Sequence, residues 1–474
     1  MQIDPIELSD RLGRWAVGRG PIPTLLAARL RRLIDDGDLE PGARLPTDRA
    51  LSATLAVGRS TVVAAYEQLV AEGRIVRRQG SGTQVAGDPR HRRPAVPTSA
   101  PVFLHLLAPI DGTLMMGCAA PSRPPHEVID AASEATQALA GLDDDIGYHP
   151  AGLELLRERI AARHTARGLP TTSNQIVVTN GGQQALTLLA RLYGTPGSNV
   201  LVEAPTYPGA IEAFREQALS LQTLPVGLTG FEAEVRNRAA AFAYVVPACH
   251  NPTGTSLTLM QRESLTAQAA RAEVPLIEDE VLADLDFTGH AEHTAGSPGS
   301  IVVGSLSKLV WGGLRIGWIR APEPAASRLA RLRAVSDLGG AMHAQLIAVA
   351  LLPQLDSIRR WRVVELQHNH DHLRAELARA LPDWDCPPAT GGQTLWVRLP
   401  AGDAASFAQA ALRAGVAVLP GSGLDASGGS SDRLRIPFVA APAQLTEATR
   451  RLAAAWQGYR PAEAPRRGLP VMAV

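Results

Sequence analysis

Hydrophobic and polar positions follow two different rhythms along this chain. In "PIPTLLAARLRRLIDDG" the apolar residues Leu26, Leu30, Leu33 and Ile34 recur at helical spacing, and Gly37 marks the stop. Thr47 stands before "DRALSATLA" as the N-cap of a second, short helix. A tight turn at Val57-Gly58 leads into "RSTVVAAYEQLVAEG", whose Val62, Tyr66, Leu69 and Val70 form one apolar face. "RIVRRQGSGTQVAG" then alternates like two short strands around a Gly-Ser-Gly turn. Helix, short helix, turn, longer helix and hairpin together predict an all-α winged helix-turn-helix with a β wing.

Past residue 111 the rhythm changes. Continuous apolar runs, each ending in a polar cluster, alternate with helical stretches such as "LTLMQRESLTAQAARAE". "NQIVVTN" leads to "GGQQALTLLARLYG", "NVLVEAP" to "TYPG", and "AFAYVVPACH" to "NPTG". "VPLIEDE" is followed at a distance by "GSIVVGSLSK". Apolar strands alternating with helices predict an α/β domain with a mostly parallel sheet, whose ligands gather at the carboxyl ends of the strands. Between the two patterns, "GDPRHRRPAVPTSAPVFLHLLAPIDG" is rich in proline and small residues and has no period. The expected division is a DNA-binding domain over 1–87 (including an N-terminal arm), a linker over 88–111, an α/β domain over 112–460 and a loose tail over 461–474.

Composition changes this picture at three points. The formal net charge of the 474 residues is zero, so only a local patch speaks for nucleic acid. Residues 59–93 supply one, with seven arginines against Glu67, Glu72 and Asp88. The three cysteines lie far apart with no metal-type spacing, the start "MQIDPIELSDRLGRW" lacks signal-peptide character, and no apolar run approaches a membrane span. A cytoplasmic protein with no metal and no membrane partner is expected. The third point is Lys308, the only lysine among 46 basic residues. An arginine-rich composition explains the scarcity but not the address, a Gly/Ser-rich turn after an apolar run. An amine can lose its proton and attack a carbonyl to form an imine, which a guanidinium cannot do.

Candidate chemistry falls on both domains. Arg59, Ser60 and Thr61 open the third helix, where a helix-turn-helix meets base edges, while Arg49 and the wing residues Arg77, Arg78 and Gly80 offer backbone contacts. In the α/β domain, Gly181 and Gly182 open a helix whose free amides suit a phosphate. Ser305, Ser307 and Arg315 can complete a cup beside Lys308. Asp279, ending a buried strand, suits a protonated ring nitrogen, Tyr207 a ring face and Asn251 a ring oxygen. Each has an ordinary structural explanation when taken singly. Their joint occurrence in this order points to pyridoxal 5'-phosphate (PLP).

The stretch "LEPGARLPTDRALSATLAVGRSTVVAAYEQLVAEGRIVRRQGSGTQV" resembles the DNA-binding domain of GntR-type bacterial regulators, and residues 112–460 resemble fold-type I aminotransferases. The joined chain resembles a MocR-type transcriptional regulator. The resemblance implies that Lys308 carries PLP covalently, Asp279 pairs with the ring nitrogen and Asn251 contacts the ring hydroxyl. It implies that Gly181, Gly182, Gln183, Ser305, Ser307 and Arg315 hold the phosphate. Tyr148 in "GYHPAGLELLRERIA" matches a tyrosine that reaches the partner subunit's phosphate in a homodimer, and Arg435 in "DRLRIPF" matches a carboxylate clamp. Two positions depart from the pattern. Gly58 stands where a capping serine or threonine is usual, a small loss. Glu278-Asp279-Glu280-Val281 stands where Glu-Asp-Asp-Tyr is usual, so the donor that tunes the ring hydroxyl is missing. The expectation is a double-stranded-DNA-binding regulator whose PLP-holding domain senses a small amine, an amino acid or PLP. The alternative is a working aminotransferase carrying a DNA-binding module; a domain that has lost PLP is disfavoured by the intact Lys308 and phosphate cup.

Overall fold

The structure, a computed structural model, describes residues 3–13, 15–16, 20–78, 82–86, 112–142, 145–289 and 296–461. The expected linker 88–111, the tail beyond Pro461 and Gly80 of the wing lie outside them. The N-terminal domain holds α1 (Pro5–Leu12), α2 (Ile22–Asp35), α3 (Asp48–Thr54), α4 (Arg59–Ala71), β1 (Ile75–Arg78) and β2 (Gly82–Val85). Three helices and the hairpin stand where the apolar pattern put them. α1 is an addition: the Asp4 carboxylate accepts from the amides of Ile6 and Glu7, and Leu8 and Leu12 enter the same core as Leu26, Leu30, Leu51 and Tyr66.

Thr47 caps α3 through an Ala50 N–H···Oγ1 bond of 3.2 Å, while Gly58 leads into α4 with no side-chain cap. Thr47→Ala is therefore expected to cost about 1 kcal/mol in the unfolding of this domain, measured by denaturant titration. One detail of the apolar face needs correction. Val62, Tyr66 and Leu69 are buried, but Val70 is exposed and Ala65 takes its place inside. The buried face has the same width as expected but is rotated toward Ala65, the side of α4 that meets the core.

The α/β domain has a seven-stranded sheet of order β4-β10-β9-β8-β7-β5-β6. β3 is Leu114–Met116, and the sheet comprises β4 (Ile176–Thr179), β5 (Asn199–Ala204), β6 (Ser220–Pro225), β7 (Phe242–Val245), β8 (Leu276–Asp279), β9 (Ile301–Ser305) and β10 (Gly317–Arg320). All neighbours pair in parallel except β10, which runs antiparallel to both β4 and β9. The five apolar runs singled out above are β4, β5, β7, β8 and β9. A smaller sheet, β11 (Thr394–Arg398), β13 (Arg433–Pro437), β12 (Val416–Pro420) and β3 in spatial order, covers the other part of the domain. No described helix is long and apolar enough to cross a membrane.

Candidate functional site

Register among β4, β10 and β9, at one end of the seven-stranded sheet, assembles the site. Gly317 at the start of β10 pairs with both Thr179 and Ser305, so the carboxyl ends of β4 and β9 lie on one edge. The helix Gly182–Tyr193 starts directly after β4, with Gly181 as an N-cap at φ 82 and no capping side chain. That φ favours glycine, and a Cβ at residue 181 would displace the Arg315 guanidinium, 2.8 Å away. Arg315 donates to the Asn180 and Gly312 carbonyls across this helix start. Ser305 Oγ donates to Ser307 Oγ or the Ile316 carbonyl, at 3.0 Å to each, and accepts from the Ser307 amide. A helix N-terminus without a capping side chain, an arginine and two serines thus lie together.

Asp279 ends β8 and is buried. The Tyr244 hydroxyl donates to it at 2.7 Å and the Val281 amide at 3.0 Å. Burial pushes its carboxyl up, against the pull of the Tyr244 hydroxyl, the Val281 amide and the Lys308 charge. A carboxylate in that position favours a cationic partner, which a protonated pyridine nitrogen supplies. Lys308 donates to the Ala119 carbonyl at 2.5 Å, and its own carbonyl accepts from Gln393 at 3.2 Å. Burial pulls its ammonium below the ordinary lysine range; Cys118 and Asp279 oppose this, while Arg435 and Arg315 reinforce it. A lysine that surrenders its proton more readily is a better nucleophile.

Arg435, on β13, donates to the Gly117 carbonyl at 2.5 Å and to Asn251 Oδ1 at 3.2 Å, and burial pulls it down to about 10. Tyr207 donates to Gln183 Oε1 at 3.2 Å, and burial pushes its phenol up to about 12. Arg435 Nε and Gln393 Oε1 are buried without a partner. The orphaned Arg435 N–H suits an anionic group and the orphaned Gln393 oxygen a donor, so the pocket fits a polar ligand that carries both. Phosphate, pyridine ring and aldehyde each find a matching group here, so the residues fit PLP.

The structure thus gathers Lys308, Asp279, Asn251, Tyr207, Gly181, Gly182, Gln183, Ser305, Ser307, Arg315 and Arg435 around one sheet edge. Tyr148 is 62% exposed. Tyr244 was not anticipated; its signal is a single polar-tipped residue inside the buried run "FAYVV". On the DNA side, Arg49, Arg59 and Ser60 are exposed, and Thr61 is half-buried. Arg77 is already engaged: it donates to Asp48 at 2.8 Å, with its guanidinium 5.5 Å from the Tyr66 ring centroid. Arg78 lies in β1.

Known proteins agree with this architecture. Residues 25–85 match the bacterial regulatory proteins of the gntR family, and residues 119–452 match aminotransferase class I and II. A helix-turn-helix joined to an aminotransferase fold defines a class of transcriptional regulators. The chain belongs to it, as a regulator of the MocR type. It is 30% identical over 392 residues to the pyridoxine biosynthesis regulator PdxR of Corynebacterium glutamicum, covering 78% of this chain and 82% of that one. It is also 30% identical over 342 residues to the probable rhizopine catabolism regulator MocR of Rhizobium meliloti, covering 67% and 69%. Among solved structures, it resembles the α-aminoadipate aminotransferase LysN of Thermus thermophilus, complexed with N-(5'-phosphopyridoxyl)-L-leucine. The TM-score is 0.67 at 27% identity, over 74% of this chain and 93% of that one. The fold and these relatives imply PLP.

Proposed function

We propose that this chain is a cytoplasmic, homodimeric operator-binding regulator in which residues 1–87 read DNA and residues 112–460 hold PLP and sense a small amine, an amino acid or PLP itself. One observation carries this reading: Lys308, Asp279 and Arg435 share a buried pocket in a chain that also presents exposed Arg59 and Ser60 at a helix start. Lys308 would carry PLP, with Asp279 at the ring nitrogen, Asn251 at the ring hydroxyl and Tyr207 against the ring. Gly181, Gly182, Gln183, Ser305, Ser307 and Arg315 would hold its phosphate, and Tyr148 would reach the phosphate of a second copy. Bound there, PLP supplies an aldehyde that an incoming amine can capture from Lys308, together with an electron-accepting ring. Arg435 would orient the effector's carboxylate through a two-pronged contact.

Turnover needs more than exchange. Val281 offers no hydroxyl to the ring, so a donor that would tune it is missing. Capture without efficient turnover suits a sensor. The test is a screen of amino compounds for a shift in cofactor absorbance, repeated with bound DNA. An effector is expected to alter operator affinity by about 1–3 kcal/mol, and the operator must alter effector affinity by the same factor. The intact Lys308 and Arg435 support a second reading, an active aminotransferase with a DNA-binding module. Multiple-turnover transamination at ordinary enzyme rates, with no amino compound affecting DNA affinity, would establish that reading instead. On the DNA side, Arg59→Ala is expected to weaken binding to a selected duplex by about 1–3 kcal/mol. Unchanged affinity in a fluorescence anisotropy titration would mean that Arg59 is not at the reading face.

A further inference from the structure

Among the described residues, the two domains touch at the end of α3, a contact that nothing in the PLP pocket explains. Arg413 ends the helix Ala404–Arg413 of the aminotransferase-like domain. Its guanidinium donates to the Leu55 carbonyl at 3.0 Å and to the Ala56 carbonyl at 2.6 Å. These carbonyls end α3 of the helix-turn-helix, immediately before the turn that starts the recognition helix α4. An arginine is suited to this position, because the last carbonyls of a helix lack intrahelical partners and carry partial negative charge.

Ala56 is the second observation. Its φ is 50°, a left-handed conformation in which helices ordinarily place glycine. The Val57 amide bonds back to the Ser52 carbonyl at 3.0 Å and the Ala56 amide to the Ala53 carbonyl, closing the helix end in the usual glycine geometry. Alanine is strained there, yet its side chain packs against the main hydrophobic core of the aminotransferase-like domain. The methyl that costs the DNA-binding domain backbone freedom is spent on contact with the other domain.

We propose that the end of helix Ala404–Arg413 is a docking surface for the helix-turn-helix, gripping the turn Leu55–Val57 and thereby setting the orientation of α4. This deepens the reading of the chain as a ligand-responsive regulator and rests on it. The docked turn leaves Arg59 and Ser60 exposed, so docking aims the reading head without covering it. One solvent-accessible guanidinium and one methyl form a weak contact, as a reversible coupling requires. Coupling between sites in proteins amounts to about 5–150-fold in affinity, within reach of such a contact.

Two variants of the full chain test this, Arg413→Ala and Ala56→Gly. Glycine at 56 removes the methyl while relieving the backbone, so the helix-turn-helix stays folded. The readouts are hydrogen exchange of the peptide spanning residues 48–58, and the ratio of DNA affinities with and without PLP, using a duplex selected by the wild-type protein. Both variants are expected to exchange several-fold faster over 53–58, to keep their PLP absorbance, and to bring the PLP-dependent ratio toward one. Unchanged exchange in both variants would overturn the docking surface. Faster exchange with an undiminished PLP-dependent ratio would overturn its part in coupling. A wild-type protein whose DNA affinity ignores PLP and every amino compound, but whose exchange over 53–58 rises in the variants, would overturn the sensing reading and leave the docking surface in place.

Discussion

Borohydride reduction of the PLP-loaded protein is expected to fix the cofactor on a single peptide, the one containing Lys308. The chain has no second lysine, so the only competing primary amine is the N-terminus. Lys308 is also the amine whose surroundings favour the neutral form, through burial and the nearby Arg435 and Arg315. Lys308→Ala is expected to abolish the yellow chromophore and the reductive adduct entirely. The side chain's one direct bond is to the Ala119 carbonyl, so the variant should unfold close to the wild-type midpoint. An adduct confined to the N-terminal amine, with Lys308 unmodified by mass spectrometry, would refute the assignment.

The second large effect lies behind Asp279. Arg262 reaches both oxygens of Glu278 at 3.0 Å each and also donates to Glu280. Glu278 further accepts from the Ser297 amide and from the Ser297 and Ser300 hydroxyls. Burial pushes Glu278 up, but Arg262 and these donors outweigh it and hold the carboxyl below its ordinary range. Glu280 has fewer donors, and burial leaves it raised despite Arg262. Both carboxylates face the guanidinium, and Glu278 is the one held ionised more firmly. Arg262→Ala strands a buried carboxylate and is expected to cost about 3–5 kcal/mol. Because Glu278 immediately precedes Asp279 on β8, PLP affinity should fall with it.

The two glutamates should respond oppositely to pH. Glu278, with a depressed pKa, contributes stability above the ordinary glutamate range and loses it as pH falls through the depressed value. Glu280, with a raised pKa, contributes stability below the ordinary range and loses it as pH rises through the raised value. At neutral pH, Glu278→Gln is expected to destabilise by at least about 1.5–3 kcal/mol, and Glu280→Gln by clearly less. Denaturant unfolding at several pH values, followed by cofactor absorbance, measures both. Equal losses at neutral pH would mean that the charge is shared between them.

Val281 sits beside this cluster, half-buried, with its Cγ2 at 3.3 Å from where a Cβ on Gly182 would be. It fills space against the start of the helix Gly182–Tyr193 and offers no donor. Tyr244, from the neighbouring strand, gives its hydroxyl to Asp279 instead. Residue 281 thus brings no hydroxyl to this place, while the Asp279 carboxylate keeps that of Tyr244.

What the sequence determined by itself was local. The helical spacing of Leu26, Leu30 and Leu33, the Thr47 cap, the glycine turn before Arg59 and the five apolar strand runs all depend on neighbours a few residues apart, so their signals survive without a fold. The address of Lys308, after an apolar run in a Gly/Ser turn, is local too. Tertiary structure decided the rest. An apolar run of four residues looks the same whether its strand lies parallel or antiparallel, so the reversed β10, which brings Thr179 and Ser305 to one edge, was not legible. Val70 faced outward because the core lies on the Ala65 side of α4, and Arg77 was drawn to Asp48 by the folding of the wing onto α3. Arg435 meets the Gly117 carbonyl, and Arg413 the Leu55 carbonyl, across more than three hundred residues. Such pairings are selected by the packing of whole domains, a free-energy balance that no window of the sequence contains.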